Sequence, residues 1–235
     1  MKFNRLKLRH FYLNKYLLSL FKEKKYYMSY DYKHKALWYR TYKVGSRTID
    51  NKLKSNNPKY IYGSLMSYSP GMFKDFFKFS FVRNPEGRFI SAWKDKVLKQ
   101  NYFKFDAAEH EKMKDLNYFL SWVEKMDIDN CDEHLKSQNS LIDLNNIDFL
   151  GRFENFSEDF AFVMNKLNIK LDSDIEHRNK GLKVSFTPTE EQRRRIYKIY
   201  YKDFQLFYPN HKNSLGLKPK NEQVQKHRAE QLISH

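Results

Sequence analysis

The segment FKFSFVRNPEGRFISAWKDK, residues 77–96, constrains the fold more than any other part of the chain. It opens with an apolar and aromatic run that is short enough for a buried strand, and the Asn-Pro pair after Arg83 ends that strand with a turn. After the turn, apolar residues recur at helical spacing, so we expect an amphipathic helix from about Glu86, with Ser91 on it. A guanidinium, the N–H groups of a helix N-terminus and a hydroxyl on one side of a sheet predict a phosphate-binding site.

A second segment upstream has the same outline. The sequence ALWYRTY at residues 36–42 is typical of a strand, KVGSRT at residues 43–48 is a short loop, and a helix can begin near Ile49. A loop of this kind, with a glycine, a lysine and hydroxyl groups before a helix, can bind a phosphate-like group on its backbone N–H groups. It is not a Walker A loop, because Lys43 precedes the glycine and no second glycine lies upstream.

The pattern R-N-P-x-x-R-x-x-S at residues 83–91 resembles the 3'-phosphate-binding motif of sulfotransferases, which is R-D-P-x-x-R-x-x-S in the carbohydrate branch. The resemblance implies that Arg83 and Ser91 bind the 3'-phosphate of 3'-phosphoadenosine 5'-phosphosulfate (PAPS). Asn84 replaces the aspartate that is usual in the family.

The loop at residues 43–48 resembles the 5'-phosphosulfate-binding loop of the same family, P-K-V-[AG]-[ST]-x-[ST], with Tyr42 in place of the proline. The resemblance implies that the whole loop binds the donor and that Lys43 is also catalytic. The loop residues concerned are Lys43, Val44, Gly45, Ser46, Arg47 and Thr48.

Three later segments also resemble the family. Residues 131–138 resemble the H-[WL]-x-[PS]-Q segment near the acceptor site, where His134 is either a catalytic base that takes the proton of an acceptor hydroxyl or a structural histidine. Residues 147–160 resemble a strand-and-helix block in which Arg152 and Glu154 can form a buried pair, and residues 200–209 resemble the last helix. The basic loop at residues 177–181 is either a cover for the nucleotide or an exposed linker.

Together these patterns predict an α/β protein with a P-loop-like three-layer fold, in which a central, mostly parallel sheet is flanked by helices. We expect a basic, helical N-terminal extension at residues 1–30, one sulfotransferase-like domain at 31–210 and a polar C-terminal tail at 211–235. Residues 99–111 are expected to form a loop, and the last helix is expected to begin at Thr187-Pro188 with the threonine as its cap.

The charge composition favours anionic ligands. The chain has 44 Lys and Arg against 28 Asp and Glu, a formal net charge of +16, which attracts polyanions. The single cysteine, Cys131, excludes an intramolecular disulfide and a cysteine-rich zinc site. No apolar run reaches the roughly 18–20 residues of a membrane span, so we expect a cytoplasmic protein that can contact a membrane peripherally through its basic N-terminus.

The resemblance implies transfer of a sulfuryl group from PAPS to a hydroxyl of a carbohydrate or glycolipid acceptor, without a metal and with release of adenosine 3',5'-bisphosphate (PAP). This hypothesis allows an anionic acceptor, and no nucleic-acid partner is expected. Two alternatives remain open at this point. One is a nucleotide-dependent phosphotransferase, against which the missing Walker A sequence counts. The other is a basic polyanion-binding protein without catalytic activity.

Overall fold

The computed structural model of the protein describes residues 12–20, 24–57, 60–171 and 186–210. The chain divides into two compact units. One, the sheet unit, comprises the described residues of Met1–Val82 and Leu141–Arg178. The other, the helical unit, comprises those of Arg83–Ser140 and Asn179–His235.

The sheet unit is built on five strands in the order β3-β1-β2-β4-β5. The strands are β1 (Tyr26–Asp31), β2 (Ala36–Tyr39), β3 (Ile61–Met66), β4 (Phe77–Val82) and β5 (Phe149–Arg152). β1 runs antiparallel to its neighbours β2 and β3, whereas β2, β4 and β5 are parallel to one another. Four of the five strands therefore point the same way, and the prediction of an α/β fold with a mostly parallel sheet flanked by helices is confirmed.

Helices follow β2, β4 and β5 along the chain, as is typical of the parallel strands of α/β proteins. The helices are α1 (Ser46–Asn56), α2 (Pro85–Trp93), α3 (Ala107–Met113), α4 (Leu116–Val123), α5 (Gln138–Leu141), α6 (Phe156–Lys166), α7 (Glu190–Ile199) and α8 (Tyr201–Phe207). Shorter helical turns lie at Leu13–Leu17, Leu18–Leu20, Pro70–Phe73, Lys94–Leu98 and Phe153–Asn155. None of the helices in the described ranges is long and apolar enough to cross a membrane.

One face of the sheet is covered by α1 and α6. Aromatic and apolar residues of β2 and β4 form a buried cluster with Ile49 and Leu53 of α1 and with Phe156 and Phe160 of α6. Because α1 follows β2 directly, this packing holds the loop between them against the sheet. The burial of its apolar face, rather than helix propensity alone, therefore stabilises the start of α1.

The helical unit has its own core. Apolar residues of α2, α4, α7 and α8 pack together in it, including Phe89, Trp93, Phe119, Ile196 and Phe204. The turn Lys94–Leu98 continues α2 with a wider, π-helical winding, a feature that is frequent near functional sites.

The structure corrects several local predictions. The segment predicted as a helical extension, residues 1–30, contains most of strand β1, whose tyrosines pair with β2 and β3, so the sheet begins before residue 31. The predicted loop at residues 99–111 is helical from Ala107, because Asp106 caps α3. The cap of α7 is Thr189 rather than Thr187, since Thr189 and Gln192 form a reciprocal capping box. The C-terminal tail and the N-terminal residues 1–11 lie outside the described residues.

Candidate functional site

The loop after β2 holds two residues in the left-handed backbone region. Lys43 has a φ of 69° and Gly45 a φ of 82°. This conformation costs a residue with a side chain about 1–3 kcal/mol, so the surrounding structure must impose it on Lys43. The Thr41 hydroxyl donates to the Phe81 carbonyl of β4, and the Ser46 hydroxyl donates to the Thr41 carbonyl at 2.7 Å. These contacts fix the loop where β2 and β4 end.

The helix predicted to begin near Ile49 begins at Ser46, so Ser46, Arg47 and Thr48 form the first turn of α1 rather than the loop. The residues of segment 43–48 differ in exposure. Val44 is fully buried in the core of the sheet unit, so a contact between Val44 and a ligand would involve its backbone. Ser46 and Thr48 are half-buried, and the side chain of Arg47 is exposed. The loop therefore offers hydroxyl groups and a cation on the outside and an apolar anchor on the inside.

The N-terminus of α1 differs from those of four other helices, whereas α6 and α8, like α1, have no side-chain cap within the described ranges. Side chains accept hydrogen bonds from the first turns of α2, α3, α4 and α7, and these caps are Asn84, Asp106, Asp115 and Thr189. Over the same ranges, no side chain caps α1, and its first turn has no acidic residue. The first N–H groups of a helix have no intrahelical acceptor and lie at the positive end of its dipole. The start of α1 is therefore suited to an anion.

Gly45 is required at the start of α1 for two reasons. Its backbone is left-handed, and a Cβ atom added to it would lie 2.6 Å from Cε2 of Phe156 on α6. Any other residue would strain the backbone and displace the ring that packs beneath the loop. The glycine lets the loop approach the sheet unit closely.

We expect Gly45→Ala to lower the free energy of unfolding by about 2–4 kcal/mol, from left-handed strain and overpacking against Phe156. The measurement is chemical denaturation of the purified chain. Gly71→Ala is the matched control, because the nearest atom to its added Cβ would be Oγ of Ser69 at 4.0 Å. Equal losses in both variants would contradict the assigned role of Gly45.

Arg83 and Ser91 share one face of α2. Arg83 directly follows β4, and Asn84 caps α2 by accepting from the N–H group of Glu86 at 3.0 Å. A Cβ atom added to Gly87 would lie 3.3 Å from Nε of Arg83, which shows that the arginine side chain runs over the first turn of α2. Ser91 follows Gly87 by four residues and lies on the same face of the helix. The structure thus brings these two predicted residues to one face within the helical unit.

The edge of the sheet unit at which the loop lies carries a further cation. Arg152 ends β5 and pairs in register with Val82 of β4, and its N–H group donates to the Asp159 carboxylate of α6 at 2.5 Å. Glu154 is exposed and Arg152 is half-buried, so these two residues are not buried as predicted. Ligands of α/β proteins bind at this edge, beyond the carboxyl ends of parallel strands.

His134 belongs to a cluster of polar and aromatic groups in the helical unit. Its Nδ1 lies 2.9 Å from Oδ1 of Asp132, whose other oxygen accepts from the Tyr102 hydroxyl at 3.2 Å. The imidazole meets the Tyr102 ring edge-on, with 4.9 Å between ring centroids, and Nζ of Lys96 lies 4.1 Å from the centroid of the tyrosine ring. A carboxylate at Nδ1 orients the imidazole and favours the tautomer in which Nε2 accepts a proton.

The carboxyl group of Asp132 is ionised in this arrangement. Burial acts to raise its pKa, but the hydrogen bonds from the ring and backbone N–H groups of His134 outweigh this effect, and its pKa lies below the usual range. Ligand-type atoms of Asp132, Glu133 and His134 lie within 4.8 Å of one another. These neighbouring groups are not by themselves a metal site, because Asp132 is already bonded to His134 and Tyr102.

The thiol of Cys131 is not in a reactive form. Burial raises the pKa of Cys131 to about 11, so its thiol is protonated near neutral pH and packs against the core of the helical unit. The basic loop at residues 177–181, predicted either to cover the nucleotide or to be a linker, lies outside the described residues.

The fold and the loop define a class of protein, an α/β protein in which a glycine-containing loop joins a parallel strand to a helix N-terminus of the phosphate-binding kind. The model of the sulfotransferase family matches residues 12–209, which is most of the chain, and the protein belongs to this family. No curated protein and no solved structure matches the chain. Membership of the family supports sulfuryl transfer as the activity of the protein.

Proposed function

We propose that the protein transfers a sulfuryl group from PAPS to a hydroxyl of a carbohydrate or glycolipid acceptor. The observation that carries this proposal is the uncapped N-terminus of α1 behind a strained Lys43-Val44-Gly45 loop, in a chain that belongs to the sulfotransferase family. PAPS supplies the sulfuryl group and leaves as PAP.

In this proposal the donor is bound at its two phosphate ends. Lys43, the N–H groups of Gly45, Ser46 and Arg47 and the Thr48 hydroxyl bind the 5'-phosphosulfate, since the Thr48 N–H group already donates to the Gly45 carbonyl at 2.9 Å. Arg83 and Ser91 bind the 3'-phosphate. The course of the Arg83 side chain over the first turn of α2, on the helix face that carries Ser91, supports the second assignment, because a guanidinium and a hydroxyl can both donate to a phosphate. Fixing both ends aligns the donor for in-line displacement at sulfur.

The loop would also supply the main catalytic effect. Negative charge develops on the phosphate oxygen from which the sulfuryl group departs. Lys43 and the first N–H groups of α1 are fixed donors that need no reorganisation when this charge appears. The strain at Lys43 is consistent with this role, since strained backbone is frequent where side chains are held for function.

His134 is the proposed general base for the acceptor hydroxyl. The hydrogen bond between its Nδ1 and Asp132 supports this assignment, because the carboxylate stabilises the imidazolium that forms when Nε2 takes a proton. Asp132 would act through His134 as a positioning residue. The sequence contained both residues, but their spacing of two positions does not itself indicate the contact.

The first experiment is calorimetric titration of the purified chain with PAP, with ATP as the control ligand. Binding of PAP at micromolar concentrations (Kd on the order of 1 μM) and weak binding of ATP are the expected results. Transfer from PAPS to a panel of glycans and glycolipids, followed by mass spectrometry, then identifies the acceptor. A folded chain that binds oligonucleotides but not PAP would overturn the proposal.

We expect His134→Gln to lower kcat by about 10²–10⁴-fold while PAP affinity is retained, because only proton transfer is lost. Asp132→Asn should lower kcat less, since the base remains but loses its orientation. His110→Gln is the matched control, as its Nε2 lies 2.9 Å from the Val97 carbonyl within the helical unit. Unchanged turnover in His134→Gln would exclude the imidazole as the base.

The acceptor is expected to be attracted by the net charge of +16. If the acceptor is an anionic glycan, its KM should rise as salt increases from low ionic strength to about 0.15 M, where charges more than about 8 Å apart are largely screened. The check is steady-state kinetics at several salt concentrations with PAPS saturating. A salt-independent KM would indicate recognition through neutral groups.

A further inference from the structure

The backbone of Arg83 is held on both sides by one buried glutamine. The N–H group of Arg83 donates to Oε1 of Gln138 at 2.9 Å, and Nε2 of Gln138 donates to the Arg83 carbonyl at 2.9 Å. Gln138 is fully buried. The Gln138 side chain pairs with both the N–H and the C=O group of Arg83, as the backbone of a neighbouring strand would. Arg83 itself lies just beyond the last residue of β4.

Gln138 is in turn held by a buried carboxylate on α8. The N–H groups of Gln138 and Asn139 donate to the two oxygens of Asp203 at 2.7 Å and 2.9 Å, and the Asn139 side chain donates to the same carboxylate at 2.7 Å. Asp203 is fully buried. Three charge-assisted hydrogen bonds of this kind fix the start of α5, from which the glutamine side chain extends.

The charge of Asp203 is compensated within the same unit. Burial raises its pKa, whereas the N–H groups of Gln138 and Asn139 and the guanidinium of Arg88 favour the ionised form. Arg88 is itself buried on α2 and donates to the Glu133 carbonyl at 3.3 Å. Hydrogen bonds to its oxygens and the nearby cation make the burial of this carboxyl group tolerable.

The position of Arg83 is therefore defined at three points. Its backbone is fixed by Gln138, the next residue caps α2 through its side chain, and its own side chain passes over Gly87. When the backbone of an arginine is already fixed, less conformational entropy is lost as its side chain binds an anion. Gln138 does not need to touch the ligand to influence its affinity.

We infer that Gln138 is a positioning residue for Arg83, that Asp203 holds Gln138 in place, and that this Gln138–Asp203 clamp sets the preference for nucleotides with a 3'-phosphate. The inference rests on the proposed function, in which Arg83 binds that phosphate. It assigns to Gln138 a role toward the donor, although the sequence pattern around it resembles a segment near the acceptor site.

The test compares Gln138→Leu with Gln205→Leu by titration with PAP and with AMP, which lacks the 3'-phosphate. Gln205 is a matched control because it is also a buried glutamine of the helical unit, and its Nε2 donates to the Tyr197 hydroxyl at 2.9 Å. Gln138→Leu should weaken PAP binding by about tenfold or more, as small misplacements of a binding group do, and leave AMP binding unchanged. Gln205→Leu should keep the PAP preference.

A double-mutant cycle with Arg83→Ala separates positioning from a general loss of stability. If Gln138 acts through Arg83, adding Gln138→Leu to Arg83→Ala causes no further loss of PAP affinity. An additive loss, or a full PAP preference in Gln138→Leu, would overturn the inference. Wild-type protein that fails to bind PAP would instead overturn the proposed function itself.

Gln138→Met serves if the leucine variant does not fold. It retains the side-chain length and volume but has neither the oxygen that accepts from the Arg83 N–H group nor the donor to the Arg83 carbonyl. It is expected to lose PAP preference in the same direction and to show the same dependence on Arg83 in the cycle. A wild-type PAP preference in Gln138→Met would count against the clamp.

Discussion

Arg83→Ala is expected to weaken PAP binding by about 10- to 100-fold and to leave AMP binding nearly unchanged. Hydrogen bonds to charged groups contribute about 1.5–3 kcal/mol, and the guanidinium is the group proposed to recognise the 3'-phosphate. The backbone of Arg83 stays bonded to Gln138 in the variant, so little stability should be lost. Isothermal titration calorimetry with both nucleotides measures the effect.

Arg194→Ala is the matched control for Arg83→Ala. Arg194 is an exposed arginine of the helical unit, and it pairs with Glu190 on the surface of α7 at 2.6 Å. Its removal changes the net charge by the same amount and should leave the ratio of PAP to AMP affinity as in the wild type. Equal weakening by both variants would show that overall charge, rather than a specific contact, attracts the nucleotide.

Lys43→Met is expected to lower kcat by about 10²–10³-fold with a smaller effect on PAP affinity. The loss of one fixed donor to a developing negative charge typically has this magnitude, and PAP lacks the group whose transfer the lysine is proposed to assist. Methionine has a similar length and leaves the left-handed backbone strain at this position unchanged. The measurement is steady-state kinetics with PAPS and the identified acceptor.

Lys54→Met is the control for Lys43→Met, because Lys54 is exposed in the last turn of α1, at the other end of the same helix. Lys54→Met removes the same positive charge, but from the C-terminal end of α1, which does not face the proposed 5'-phosphosulfate. If Lys43→Met lost much of its PAP affinity but kept its kcat, the lysine would bind the ground state and the transition state equally. It would then contribute to binding rather than to catalysis. A comparison of the two variants therefore separates long-range attraction of the nucleotide from stabilisation of the transition state.

Predictions that depend on neighbouring residues agreed well with the structure. The strand at Phe77–Val82 has the predicted bounds, and α2 begins at Pro85, one residue before the expected start. A short apolar run and an Asn-Pro turn are sufficient for such a prediction, because each rule acts over a few residues. The loop before α1 was predicted for the same reason, as its glycine and the change of periodicity are both local.

Predictions failed where partners distant in the chain decide the structure. The tyrosines of β1 lie in a basic segment that suggested a helix, and their pairing with β2 and with β3 makes the segment a strand. Aromatic residues suit either structure, so the available neighbours decide between them. The cap of α7 is a different case, because Gln192 lies only three residues after Thr189 and the capping-box spacing that selects Thr189 is local.

The sequence by itself determined the mostly parallel α/β class, the strand-loop-helix start at Lys43 and the placement of Arg83 after β4 with Ser91 on the next helix, because each follows from local periodicity and turn residues. Only the tertiary structure decided that Gln138 holds Arg83 from 55 positions away and that Asp203 holds Gln138 from 65 positions away. The sequence alone does not indicate which backbone groups a glutamine side chain will hydrogen-bond in the folded protein. Those contacts arise when packing excludes water and buried polar groups must find partners within the protein.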